Sequence, residues 1–360
     1  MSTSIKLTAA ALLLLATACG KDIIEPQNAT TGYSGYNATA LLANEANTVI
    51  LSNYQDVDTQ AAALQAAIQA FAAAPTAATL DAARAAYRAA RAPWESTEAF
   101  AFGPVSTQLL DDRIDTWPLN ETDLAALLAG PTPLTTTYLR TLDGGLQGYH
   151  PIEFLLFGTN NDKPLGAFTA RELEFLNASG QNLHQGTGQL LTAWQATGGR
   201  YANTLATAGP GNATYASQKA ALQDLLGGMQ DAIDELGNSK IERPVASGSP
   251  QYVEARYSDN SKAEFLKNVQ GVESIYLGRY GANGPGNGIG LSDLVKQRNP
   301  NADTKLKAQF VAAENAIQAI PGTFDQAITQ NTQAVRNAQA AVRACQVLID
   351  GAVATAVNGL

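Results

Sequence analysis

The sequence predicts an all-α protein built as two helical-bundle domains, and three observations carry that reading. Composition is 45% hydrophobic with only 7% aromatic residues and much alanine, which suits helices packed through small side chains. Apolar residues recur at three- and four-residue spacing over long runs. No run alternates with period two, so no sheet is expected.

At the N-terminus Lys6 precedes an apolar run of ten residues, Leu7 to Ala16. The run is too short to span a bilayer, which takes roughly 20 residues, but has the length of a signal-peptide core. It ends in Leu15-Ala16-Thr17-Ala18-Cys19-Gly20. Small residues directly before a cysteine resemble a bacterial lipobox, with Ala16 where leucine is usual. Residues 1–18 are therefore expected to be a lipoprotein signal peptide and Cys19 the lipidated mature N-terminus. Residues 19–40, with Pro26, Gly32 and Gly35, read as a flexible tether. The mature chain is expected outside the cytoplasm, held to a membrane by its lipid. An acylated Cys19 leaves Cys345 without a disulfide partner. The Ala/Val/Leu-rich run around Cys345 predicts a buried, inert thiol.

The helices follow in order. Leu41 to Ala74 is a long helical pattern stopped by Pro75, and Thr76 or Thr79 can cap the next helix, where Leu80, Ala83, Tyr87 and Ala90 recur. That helix is expected to bend at Pro93 and end at Gly103-Pro104. An irregular stretch with Asp111, Asp112, Arg113, Asp115 and Trp117 precedes a short helix from Glu121 to Leu128. A further long helix starts at Thr169, whose spacing to Glu172 is that of a capping box, and runs past Trp194 with Gly180 and Gly186 as its weak points. Ala208-Gly209-Pro210-Gly211 is the best domain boundary, giving an N-terminal helical domain at 41–208 and a C-terminal one at 212–360. Beyond it lie helical patterns at 215–236, 261–277, 303–320 and 324–357, with an irregular segment at 237–260 and a Gly-rich loop at 281–290. Gln147-Gly148 to Gly158 can be laid over Gln270-Gly271 to Gly281, at an offset of 123. An internal duplication and chance similarity in a biased sequence are equal readings of that echo; in either, only the first copy has the His/Glu pair.

The net charge of −9, without a basic stripe, argues against nucleic acid as a partner. There is no HExxH zinc motif, no Lys-Ser/Thr after the Gly-rich loop as in a P-loop, and no Gly-x-Ser-x-Gly elbow. The candidate chemistry starts at His150 and Glu153, in Gly148-Tyr149-His150-Pro151-Ile152-Glu153. Three apart on a continuous helix they share a face, where an imidazole and a carboxylate can hold a transition metal or pass a proton. Pro151 opens a competing reading: His150 as N-cap, with Glu153 bonding back to its N–H as in a capping box. Glu95 and Glu98 also share a face, beside Trp94, Phe100 and Phe102; carboxylates so placed are costly to bury unless a cation or donor meets them. Asp111, Asp112 and Asp115 form a third acidic group, with Arg113 as the expected internal partner. One histidine with several acids suits iron or another divalent ion rather than a thiolate-rich zinc site. His184 is expected to be a core or surface histidine.

Gly148-x-His150-x-x-Glu153 is similar to the GxHxxE motif of the imelysin-like proteins. Trp94-Glu95-x-x-Glu98-Ala99-Phe100-x-Phe102-Gly103-Pro104, Ile114-Asp115-x-Trp117-Pro118 and Glu254-x-Arg256-Tyr257-Ser258-Asp259-Asn260 extend the resemblance over about residues 90–280. The resemblance implies two helical bundles with the site near their contact, export to the periplasm or outer membrane, and a role in iron uptake alongside other uptake components. It also implies metal binding through His150, Glu153, Glu95 and Glu98, with Asp112 as a further ligand; iron is the expected ion, and zinc and copper stay open. The family is grouped with metallopeptidases, which would make Glu153 a general base on metal-bound water. The missing zincin-type residues put binding ahead of hydrolysis. A surface lipoprotein that binds a peptide or polymer is the third reading.

Overall fold

A computed structural model describes residues 36–281, 284 and 288–360. The expected signal peptide, Cys19 and the tether as far as residue 35 lie outside the described residues. Among the described residues every regular element is helical and none is a strand. Eight longer helices position the site: α1 (Leu51–Ala73), α2 (Ala77–Thr97), α3 (Tyr149–Phe157), α4 (Ala170–Trp194), α5 (Gln218–Glu235), α6 (Ser261–Leu277), α7 (Pro300–Gln318) and α8 (Thr332–Leu348).

Local chemistry accounts for the boundaries. The side chain of Thr76 accepts the N–H of Thr79 at the start of α2, and Thr169 and Glu172 form the expected capping box at the start of α4. Helix α2 stays helical through Pro93 and ends at Thr97, ahead of the expected stop, with a 3₁₀ turn at Glu98–Phe100. Helix α4 is unbroken through Gly180 and Gly186; these glycines face Ile68 and Ile114, so their small size serves packing. Among the described residues, three short π-helical segments interrupt the α-helical pattern, at Glu45–Ile50, Leu236–Lys240 and Ile349–Val353.

Helix α1 lies between α2 and α4, α6 packs on α2 and α7, and α5 packs on α6, α8 and the Glu98–Phe100 turn. One apolar core runs from Ala38 to Val357 and includes residues from both sides of the Gly209–Gly211 linker. Tyr54 sets its ring against Phe100 and Trp194, both at 5.4 Å between centroids, and Tyr87 packs on Phe157 at 5.5 Å. Cys345 is fully buried in this core, as expected. The two glycine-bounded stretches that echo each other in sequence hold different places: Gly148 is the N-cap of α3, whereas Gly271 lies inside α6.

Two backbone approaches bring the polar residues together. A Cβ on Gly271 would fall on the Ser96 carbonyl, and one on Gly228 on the Ala99 carbonyl. Only glycine lets α6 and α5 close this tightly on the end of α2.

Candidate metal centre

The C-terminal end of α2 presents Arg91, Trp94, Glu95 and Glu98 to a buried polar cluster that α3, α6 and two connecting segments complete. Arg91 is fully buried. Its guanidinium bonds Glu95 one turn along α2 and Asp115, and lies 3.2 Å from Glu254 and 3.0 Å from Glu264. The Lys240 ammonium reaches Glu95 at 3.0 Å, Glu98 at 2.6 Å and Glu254 at 3.1 Å. Asn268 donates from Nδ2 to Glu95 at 2.9 Å and Glu98 at 2.7 Å. Trp94 Nε1 donates to Asp115 at 2.6 Å.

Helix α3 carries the histidine. Its N-cap is Gly148 at φ 76°, so His150 is the second helical residue and Pro151 the third. Proline costs nothing there, because the first four helical N–H groups have no intrahelical acceptor. The capping reading of His150 and Glu153 is therefore corrected: the left-handed Gly148 takes the cap and both side chains point into the cluster. His150 is 1% exposed and Glu153 is fully buried. Glu153 Oε1 accepts from the Ser258 N–H at 2.9 Å and the Ser258 hydroxyl at 2.6 Å, while Oε2 has no hydrogen-bond partner. His150 Nε2 lies 3.2 Å from Asp115 and 3.9 Å from Glu254, and Nδ1 lies 3.6 Å from Glu153 Oε2. Neither ring nitrogen makes an aligned hydrogen bond.

Six carboxyl groups (Glu95, Glu98, Asp115, Glu153, Glu254 and Glu264) thus meet two obligate cations, Arg91 and Lys240. The protonation pattern shows the excess of negative charge. Burial opposes an imidazolium, yet Asp115 and Glu153 outweigh it and hold His150 up at about 10. Burial likewise opposes ionisation of Asp115, but Arg91 and His150 bring it down to about 2. Burial pushes Glu264 up to about 7 against the pull of Arg91. Glu95 ends below the ordinary carboxylate value because Arg91 and Lys240 overcome its burial, whereas burial keeps Glu98 well above it despite Lys240. Asp111 and Glu235, exposed at the rim of the cluster and raised by partial desolvation and by neighbouring carboxylates, extend the acidic character outward.

Among the described residues, two sets of ligand atoms converge within 4.8 Å: Asp115, His150 and Glu254, and Glu95, Glu254 and Glu264. The second is already compensated by Arg91 and Lys240. The first includes His150, whose ring nitrogens make no aligned hydrogen bond but lie 3.2 Å from Asp115 and 3.6 Å from Glu153 Oε2, so an ion there would take the place of the ring proton. A nitrogen with several carboxylate oxygens fits an intermediate cation such as iron, so the residues present suit a metal.

Comparison with known proteins agrees with the motifs. The family model for imelysin matches residues 50–350. The chain belongs to the imelysin family. Iron-regulated protein A of Synechococcus elongatus is 29% identical over 351 residues, covering 95% of this chain and 90% of that one. The crystal structure of an iron-regulated protein A precursor from Parabacteroides distasonis has a TM-score of 0.81 at 24% identity, covering 90% of this chain and 97% of its own. An imelysin-like protein from Psychrobacter arcticum has a TM-score of 0.70 at 16% identity, covering 88% and 94%. These two structures show that the imelysin fold is shared.

Of the residues expected to form the imelysin site, His150, Glu153, Glu95 and Glu98 come together. Asp112 does not: its side chain is exposed, and Asp115, on the inward side of the same short helix Leu110–Asp115, takes the place beside His150. Arg113 is not the partner of the acids either. It donates to Asn182 and Gln189. His184 sits away from the cluster, with Nδ1 2.7 Å from Gln65. Sequence reasoning missed Glu254, Glu264, Lys240, Asn268 and Arg91 as site residues. The four-residue step from Arg91 to Glu95 was a readable signal; the others lie far along the chain and carried none beyond the Glu254 motif.

Proposed function

We propose that the cluster binds a metal cation, with iron the leading candidate, and that the protein acts in iron uptake as a lipid-anchored protein of the cell envelope. The observation that carries this reading is His150: a buried imidazole, without an aligned hydrogen bond, facing carboxylate oxygens of Asp115, Glu153 and Glu254. His150, Asp115 and Glu254 would hold the ion, with Glu153 Oε2 available from the same helix. The bound ion would supply positive charge where carboxylates now outnumber cations. Arg91 and Trp94 orient Asp115, and Ser258 orients Glu153. The name of the Synechococcus elongatus relative supports iron, and the lipobox-like residues before Cys19 support the anchor.

Calorimetric titration of the purified protein with ferrous and zinc ions tests the reading. Binding to wild type and loss of binding in His150→Ala are expected. Absence of binding in wild type, or a variant that binds as well, overturns it. Cys19→Ser tests the anchor: the variant should leave the membrane fraction, and one that stays membrane-bound removes the lipid from the account.

A further inference from the structure

The Glu95, Glu98 and Glu254 carboxylates surround the Lys240 ammonium as oxygen ligands surround an ion, at 3.0, 2.6 and 3.1 Å. The Lys240 side chain is only 6% exposed. Burying an ammonium this far is costly and is offset only by close partners, and here three carboxylates converge on one cation. We propose that Lys240 is a resident cation: its ammonium fills a second, all-carboxylate subsite and withdraws when a metal ion takes its place. This inference rests on the metal-centre reading and extends it from one ion to two.

Three observations support the exchange. Glu254 joins the two positions, with Oε1 3.9 Å from His150 Nε2 and Oε2 3.1 Å from the Lys240 ammonium. An ion drawn to His150 therefore competes with Lys240 for the same carboxylate. The ring nitrogens of His150 and Oε2 of Glu153, all buried, lack an aligned hydrogen bond. They are held by the 3.2 Å approach to Asp115 and the 3.6 Å approach to each other, so an ion at the neighbouring position would replace the ring proton. Lys240 also closes the π-helical segment Leu236–Lys240; such segments are rare and cluster at functional sites. A four-carbon stem anchored there lets the ammonium swing without moving a helix. Glu235, exposed at the end of α5 and held in the Lys240 field, offers it a partner outside.

The chemistry of the two subsites differs. The His150 position offers nitrogen and oxygen, whereas the Lys240 position offers oxygen alone and selects a hard cation. A dication there would supply one more positive charge than the ammonium it displaces, to a cluster still short of cations.

The test counts bound zinc and ferrous ions by native mass spectrometry in wild type, Lys240→Met and Lys240→Gln. Alongside it, the acetylation rate of Lys240 in wild type is measured with and without saturating metal. Wild type should bind one ion tightly and a second weakly. Either variant should bind the second about tenfold more tightly or better, since a competing cation has gone. Lys240 should be protected without metal and become reactive with it, a readout that holds even if the variants fail to fold. Unchanged stoichiometry and affinity in a folded variant, or Lys240 still protected at saturation, overturns the proposal while a wild-type protein that binds one ion keeps the metal-centre reading. Binding by a variant but not by wild type supports the placeholder and removes the native metal reading. No binding by any of the proteins removes both.

Discussion

Replacing Gly148 by alanine tests whether the motif glycine builds the site. Gly148 sits at φ 76°, ψ −148°, beside a region that only glycine occupies freely, and forcing another residue there costs about 1–3 kcal/mol. A Cβ at this position would lie 2.9 Å from the Arg113 carbonyl oxygen and nearer still to that of Ile114. The neighbour is backbone, so relief requires the short helix that carries Asp115 to move, and overpacking of this kind adds about 1–3 kcal/mol. The expected loss is therefore about 2–6 kcal/mol, read as a lower urea midpoint at constant m. Gly166→Ala is the control: it is exposed and its added Cβ would meet nothing within 4 Å, so a change within about 0.5 kcal/mol is expected. Because Asp115 moves with the Ile114 carbonyl, Gly148→Ala should also weaken metal binding in the protein that remains folded. A stability loss below about 1 kcal/mol would refute the strain argument, since the lowest strain cost alone reaches that value.

Glu45 is fully buried and neither carboxyl oxygen has a hydrogen-bond partner; burial alone pushes its pKa well above 4.5. The unfolded chain releases this proton near 4.5 while the folded protein retains it. Wild-type stability should therefore fall relative to Glu45→Gln as pH rises above that value, and parallel pH profiles would sink the assignment. Burial pushes the Cys345 thiol up to about 12, so native protein at pH 8 should resist iodoacetamide and react only after unfolding; labelling of the native state would contradict the packing. Thr169→Ala removes one half of the capping box at the start of α4 and should cost about 1 kcal/mol by urea denaturation.

Helices were legible wherever one local rule sufficed. The capping box at Thr169, the stop at Pro75 and the face of Leu222, Leu225, Leu226, Met229 and Ile233 all rest on neighbours within a turn or two, and all are present. Misplacements occurred where distant backbone decides. Pro151 makes His150 look like an N-cap, but the Ile114 carbonyl lies against Gly148 and the helix starts one residue before His150. Which of Asp111, Asp112 and Asp115 turns inward depends on where a six-residue helix begins, and it begins after Leu109 at φ 50°. A left-handed leucine has no sequence signature. Lys240 meets Glu95, and Glu254 and Glu264 meet Arg91, across separations of 145 residues or more, and no periodicity reports such contacts.

The arrangement of glycines explains why a cluster so rich in carboxylates can persist. Ion pairs buried this deeply contribute little net stability, because desolvation offsets their attraction, and the cluster has more negative than positive partners. Attraction among its members therefore does not hold the helices together. Backbone approach does: Gly148 lets Ile114 close on α3, while Gly228 and Gly271 let α5 and α6 close on the end of α2. A glycine inside a helix costs about 1 kcal/mol relative to alanine, and Gly228 and Gly271 both lie inside helices. That cost is offset by apolar burial around Phe100, Tyr149, Met229 and Ile275. Packing outside the cluster thus imposes the positions of its charged groups, leaving His150 and Glu153 Oε2 in the folded state with polar atoms that lack aligned hydrogen bonds.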